Sequence, residues 1–440
     1  MARRTDRRDF LGQVGRVAGA GLLAAGIAPA ARAAHAERLY AALKAAAGRP
    51  AARVAADEEF WLPIQQAWDV DRSFLNLNNG SCSPAPRVAL DALFRQWRFA
   101  NEAMYHRLMF VLDPQRESVR TQLAALFGAD RETIALVRNA SEALETVTFG
   151  IPLERGDEVV TTNHDYPRMI TAWRQRERRE GVVLKQVELP VPLADPAALV
   201  ARFEAAITPR TRVFHVSHIH YTTGQIGPVK ELCDLARRRG ILSIVDGAHA
   251  FAHLDVKADA IGADYYGTSL HKWLAAPVGN GMLHVRKERI AGLWPLFAHD
   301  DPASPDIRKF EQQGTAPVPL ALSISAALTL HQLIGAERKQ ERLRFLRDAW
   351  ARPLAEEPRC RIVPSLDPLH SCGIACVAID GVDPAALCKH LLEKEQIYVA
   401  AIGRPDVAAI RVTPNLYTTL PELDRFVAVI RRIARDGLPS

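Results

Sequence analysis

Tyr265-Tyr266-Gly267-Thr268-Ser269-Leu270-His271-Lys272-Trp273 decides how the chain reads. Its β-favouring residues give way at Ser269 to a polar turn, so a strand ends there and Lys272 follows just beyond it. Upstream, Ile244-Val245-Asp246-Gly247-Ala248-His249 has the same form, an apolar run that closes on an acid. Open α/β sheets bind ligands at the carboxyl ends of their strands, so Asp246 and Lys272 are expected to share one site. A third apolar run, 134–137, ends in Arg138-Asn139-Ala140-Ser141-Glu142-Ala143-Leu144. Asn139 followed three residues later by Glu142 reads as an N-cap with its capping-box partner. The helix start it marks offers free N–H groups and a positive dipole end to a phosphate, and Ser141 adds a hydroxyl.

Taken singly, Asp246 reads as a helix cap and Lys272 as a surface residue. Together they form the set that pyridoxal 5'-phosphate (PLP) needs. A lysine holds this cofactor as a Schiff base, an acid pairs with its protonated pyridine nitrogen, and a helix N-terminus receives its phosphate.

Outward from these motifs the chain alternates apolar runs with helical patterns. Strands are expected at 134–137, 158–162, 182–187, 212–217, 242–246, 265–269 and 282–285, spaced by helices such as 141–149, 167–179 and 229–239. That alternation argues for an α/β domain with a mostly parallel central sheet and helices on both faces. A single long helix over 320–350 is expected to lead into a smaller α+β domain. Its strands fall at 373–379 and 408–412, and its helices at 384–393 and 422–435. The expected division is an N-terminal helical segment, 37–85, contributing to the small domain; a large cofactor-binding domain, 86–320; and the connecting helix with the small domain, 321–440.

The chain has 440 residues, 48% hydrophobic and 24% charged, which is ordinary globular composition with length for two domains. Its net charge of +6 is concentrated at the start, where residues 1–36 hold six Arg and two Asp. The remainder has 50 basic and 48 acidic residues, so no nucleic-acid surface is expected. Arg3, Arg4, Arg7 and Arg8, then Phe10-Leu11, a small-residue apolar stretch from Val17 to Ala30 and two A-x-A sites read as a cleavable export signal of twin-arginine type over 1–36. The expected location is therefore periplasmic or secreted, with no stable membrane span after signal removal. The six cysteines form no CxxC pair. His215, His218, His220 and His249 do not assemble a metal-ligand spacing, so no metal is expected. No GxSxG elbow and no P-loop occurs.

In the order and type of these motifs the sequence resembles the class V aminotransferases, PLP enzymes with the aspartate-aminotransferase-like transferase fold. The resemblance covers roughly residues 75–435 and points to the branch around isopenicillin N epimerase, related to cysteine desulfurases. It implies Ala140 and Ser141 at the phosphate turn, His164 as the ring stacked on the pyridine face, and Asp246 on the pyridine nitrogen. It further implies His249 on the phenolic oxygen, Ser269 and His271 on the phosphate, and Lys272 as the covalent anchor. Gly314-Thr315 would reach the phosphate of a partner subunit in a homodimer with its active site at the interface. On the substrate side it implies Asn79, within Leu75-Asn76-Leu77-Asn78-Asn79-Gly80-Ser81, and Arg411, whose planar guanidinium suits a carboxylate.

The departures from the pattern matter too. Desulfurases carry a nucleophilic cysteine shortly before the carboxylate arginine, and the stretch Val399-Ala400-Ala401-Ile402-Gly403-Arg404-Pro405-Asp406 has none. Where many desulfurases place an asparagine near the phenolic oxygen, Tyr221 or Thr222 stands here. The expected function is thus a PLP-dependent enzyme on a small amino-group-bearing carboxylate, aminotransferase-like. An epimerase or racemase, or a carbon–sulfur lyase, is the alternative. A PLP-fold binding protein without catalysis is the non-enzyme reading, against which the presence of Lys272 argues.

Overall fold

The computed structural model describes Ala34 and residues 37–438; the export signal expected over 1–36 lies, Ala34 apart, outside them. The strands in chain order are β1 (Leu75–Asn76), β2 (Ile134–Val137), β3 (Glu158–Thr162), β4 (Val183–Val187), β5 (Thr211–Ser217), β6 (Leu242–Asp246) and β7 (Tyr265–Ser269). They continue with β8 (Gly281–Val285), β9 (Cys360–Val363), β10 (Ala375–Ile379), β11 (Ile397–Tyr398), β12 (Ala400–Ile402) and β13 (Ala409–Val412). Seven form one sheet in the order β2-β8-β7-β6-β5-β3-β4. β8 runs antiparallel to both its neighbours, and every other pair is parallel.

Both faces of this sheet are covered, and strand alternation shows how. Ala135 and Val137 of β2 pack beneath the helices Ala140–Gly150 and Pro167–Glu180, with Leu144, Val147 and Trp173. Ile134 and Leu136 point the other way, into a core shared with the helices Arg116–Phe127 and Val229–Arg238. β5 divides likewise, Val213 to the first core and Phe214 and Val216 to the second. A period of two with both parities apolar requires a two-sided cover.

The smaller sheet is antiparallel, in the order β12-β13-β10-β9, and packs on the helices Ala336–Ala355 and Leu420–Asp436. Thr419 and Glu422 close a capping box that starts the latter helix. The N-terminal segment joins this side of the molecule: β1 pairs with β11, and Asn78 bridges to Thr413. Ser83 N–H also donates to the His271 carbonyl, tying the segment to the Lys272 turn.

The single helix expected over 320–350 is three. Val318–Leu322 and Ile324–Ile334 are followed by Ala336–Ala355, which leaves at 81°. Gly335 takes φ +90°, a backbone conformation that other residues avoid, and its N–H caps the His331 carbonyl, ending the first stretch. Among the described residues no single helix is long and apolar enough to cross a membrane.

Candidate active site

The carboxyl ends of β2, β5, β6 and β7 converge on a cavity of about 370 Å³, closed on the far side by Ala400–Ile402 and Arg411 of the small domain. Lys272 and His271 enter it from the turn after β7, Asp246 and His249 from the end of β6, and Ala140 and Ser141 from the helix that follows β2.

Lys272 is half-buried, and desolvation pulls its pKa down to about 8, against the attraction of Asp246; the field of Arg411 lowers it further. Its Nζ lies 3.2 Å from His249 Nε2. The indole N–H of Trp273 donates to His249 Nδ1 at 3.4 Å, which leaves the ring proton on Nε2. Burial holds the His249 pKa far below its ordinary value, so the ring is neutral. A neutral ring with its proton on Nε2 directs a donor at the lysine nitrogen, which accepts only as the free amine. The packing therefore favours the nucleophilic form of Lys272. Apo-protein is accordingly expected to capture PLP covalently at Lys272 at a rate that rises with pH up to about 8 and is level above it. Stopped-flow absorbance across pH measures this; a rate independent of pH between 6 and 9 contradicts a lysine that titrates near 8.

Asp246 accepts from the Ala248 N–H at 2.9 Å. Burial raises its pKa to about 6, outweighing that bond and the charge of Lys272. A buried carboxylate with one backbone donor lacks a cationic partner, which a protonated ring nitrogen supplies. The helix Ala140–Gly150 opens on the cavity, capped by Asn139 Oδ1 from the Glu142 N–H. Ala140 N–H donates to Ser269 Oγ at 2.9 Å, bringing together two of the groups expected at the phosphate. His271 lines the same end, and its buried Nδ1 has no protein partner. Against one carboxylate the cavity thus sets a lysine, an arginine, an imidazole and a helix N-terminus, a donor set that fits an anionic cofactor.

Arg411 is buried in the cavity wall. Its Nη1 donates to the Tyr221 carbonyl at 2.9 Å, and its Nη2 to Asn78 Oδ1 at 2.9 Å and Ser81 Oγ at 3.1 Å; Nε has no partner. Burial lowers its pKa from the usual arginine value.

Three expected site residues stand apart from the lining. Asn79 is corrected: it is fully buried and its amide is used within the protein. It donates to the carbonyls of Asn76 and Thr413 and accepts the Tyr417 hydroxyl at 2.6 Å, so no group is left for substrate. Its neighbours Gly80 and Ser81 line the cavity instead. His164 is fully buried between Thr222 and Asp406. Thr315 lies on an exposed turn away from this chain's own cavity.

Sequence reading missed the cavity wall at Ala400–Ile402, a short apolar stretch with no chemical signal of its own. It also sought thiols only before Arg411. Cys82 is exposed beside the lining residue Ser81. All six cysteines are free, and among the described residues no cluster of His, Cys, Asp and Glu is arranged to hold a metal.

A lysine, an acid and a helix N-terminus gathered at the strand ends of this sheet define a PLP-dependent enzyme of the fold-type I class. The chain belongs to the class-V aminotransferase family, whose model matches residues 75–426. It is 34% identical over 377 residues to isopenicillin N epimerase of Streptomyces clavuligerus, covering 81% of this chain and 94% of that protein. It is 31% identical over 397 residues to the isopenicillin N epimerase of Amycolatopsis lactamdurans, covering 85% and 99%. Among solved structures, the cysteine desulfurase CsdA of Escherichia coli shares the fold with a TM-score of 0.74 at 20% identity, covering 86% of this chain and 99% of that one.

Proposed function

We propose that the protein is an epimerase or racemase acting at the Cα of a small amino-carboxylate. The observation that carries this reading is one cavity holding a lysine whose pKa burial lowers and a buried, incompletely partnered arginine, with no thiol on the Ala400–Ile402 wall. The motifs alone favour transamination. The two epimerases, alike over most of both chains, move the reading toward proton transfer at Cα.

PLP, when bound, supplies a sink for the electron pair left as a bond to Cα breaks. Asp246 would accept from the protonated ring nitrogen, and Ala140, Ser141, Ser269 and His271 would hold the phosphate. His249 would donate to the phenolic oxygen, and His164 would back the ring. Arg411 would grip the substrate carboxylate, and Lys272 would exchange the Cα proton on one face. Tyr166 and Tyr221, whose rings meet edge to face with centroids 5.5 Å apart, are the phenols lining the cavity. They follow β3 and β5, on the flank of Asp246 opposite to β7 and Lys272. A lysine base on one flank and phenol proton donors on the other suit inversion at Cα better than transfer of the amino group.

Single-enantiomer amino-carboxylates incubated with PLP-loaded enzyme in D2O are expected to yield the opposite configuration with deuterium at Cα. Formation of the oxo acid with loss of the amino group identifies a transaminase instead, and sulfide from cysteine a lyase.

The protein is also proposed to act as a homodimer. Phe94, Phe99, Met104, Tyr105 and Phe110 are exposed along one stretch of the large domain, the kind of apolar cluster a partner subunit covers, and the exposed Thr315 could reach a partner's phosphate site. Sedimentation equilibrium is expected to give twice the chain mass of 48.5 kDa; a monomer at micromolar concentration contradicts it.

A further inference from the structure

The loop between β12 and β13 carries Gly403-Arg404-Pro405-Asp406, and Asp406 reaches across to the large domain. Asp406 Oδ2 lies 2.5 Å from His164 Nε2, and Thr222 Oγ1 lies 2.9 Å from His164 Nδ1. The two ring nitrogens are therefore held by two different elements, one from each domain. Arg404 supports the acid from its own loop, Nε to Oδ1 at 3.1 Å.

The chemistry assigns the protons. Burial pulls the His164 pKa below its ordinary value, more than Asp406 raises it, so the ring is neutral. Burial alone would raise the Asp406 pKa, but the bonds from His164 and Arg404 bring it below the usual value, so the acid is ionised and only accepts. Nε2 then carries the proton toward Asp406, and Nδ1 accepts the Thr222 hydroxyl. The consequence is mechanical as well as electronic. β12, on one side of the loop, supplies the cavity wall Ala400–Ile402, and β13, on the other, carries Arg411.

We infer that Asp406 is a positioning residue: its bond to His164 fixes that ring in one tautomer and latches the β12–β13 wall of the cavity, with Arg411, onto the large domain. The inference rests on the cofactor face assigned to His164 but not on which reaction follows, because both of its consequences exist in the PLP-free protein.

The test uses the full chain, free of PLP and loaded with it. Histidine-selective 15N spectra and hydrogen-exchange mass spectrometry over 398–412 are recorded for wild type, Asp406→Ala, Asp406→Asn and Arg404→Ala. Wild type is expected to show His164 as the Nε2–H tautomer. Asp406→Ala is expected to mix the two tautomers and to speed exchange across 398–412 by about tenfold or more, the loss of one hydrogen bond to a charged group. Asp406→Asn, whose amide oxygen still accepts from Nε2–H, is expected to restore both readouts to near wild type. Arg404→Ala, which leaves the His164 bond in place, is expected to match wild type. An unchanged tautomer and exchange in Asp406→Ala overturns the inference. So does Asp406→Asn behaving like Asp406→Ala, since the bond is then not what holds the loop, or Arg404→Ala reproducing the loss, which places the latch within the loop. A changed substrate or product assignment leaves both readouts standing.

Discussion

Lys272→Ala is expected to lower turnover by roughly 10²–10⁴-fold, the range for removal of a positioned acid–base group. No neighbour is equipped to replace it. His249, 3.2 Å away, is held neutral by a pKa far below its ordinary value, and Asp246 is the acid proposed for the ring nitrogen. The loss is not a loss of fold. Burial disfavours the charged form of Lys272, so its removal relieves the apo-protein of a desolvated amine, and the apo melting temperature is expected to hold or rise. PLP is expected to remain bound through the phosphate end and Asp246 but to dialyse away, since the covalent tether is gone. Steady-state rates, thermal melts and absorbance after dialysis read the three effects. Turnover within tenfold of wild type would remove Lys272 from its role.

The large domain was legible because its signals are local. β2, β3, β6 and β7 begin and end where the apolar runs do, and β4, β5 and β8 differ from the expected ranges by a single residue at one end. β2, β5 and β6 are apolar at both parities, as a covered sheet requires, and β5, β6 and β7 end in Ser217, Asp246 and Ser269, which line the cavity. Lys272, Asp246 and Ser141 were legible for the same reason: each carries its chemistry with its own strand end. What escaped notice depends on partners far along the chain. β1 and β11 are two residues each and exist through pairing across more than three hundred positions. β9 alternates exposed and half-buried residues with no apolar run to announce it. Asn79 stands in a polar segment that reads as substrate-facing, yet Thr413 and Tyr417 consume its amide. Asp406 follows Gly403, Arg404 and Pro405 like any surface turn, and nothing near it names His164. The long helix failed at Gly335, where helical periodicity continues on both sides while the direction changes by 81°.

Arg411→Ala is expected to raise KM for a carboxylate substrate by about 100-fold, with PLP affinity nearly unchanged. The estimate follows from two charge-assisted hydrogen bonds at about 1.5–3 kcal/mol each, discounted for the water that refills the site, with tenfold per 1.4 kcal/mol. The local geometry explains why the guanidinium is available at all. Nη1 is anchored on the Tyr221 carbonyl and Nη2 on Asn78, which fixes its plane. Ser81 holds Nη2 more loosely, at 3.1 Å, and its hydroxyl already has Asn78 Oδ1 to donate to at 3.0 Å. A carboxylate that displaces Ser81 therefore strands no buried group, and Nε, unpartnered in the protein, offers the second donor of a bidentate pair. Arg411→Lys retains the charge but not two parallel donors, so it is expected to recover only a minor part of the loss. If the carboxylate contact also orients the Cα–H toward Lys272, kcat falls along with the rise in KM, and the amide or ester of the same substrate shows neither effect. Comparing the acid with its amide on wild type and both variants decides the matter: equal losses on acid and amide would mean that Arg411 holds the wall of the cavity and not the substrate.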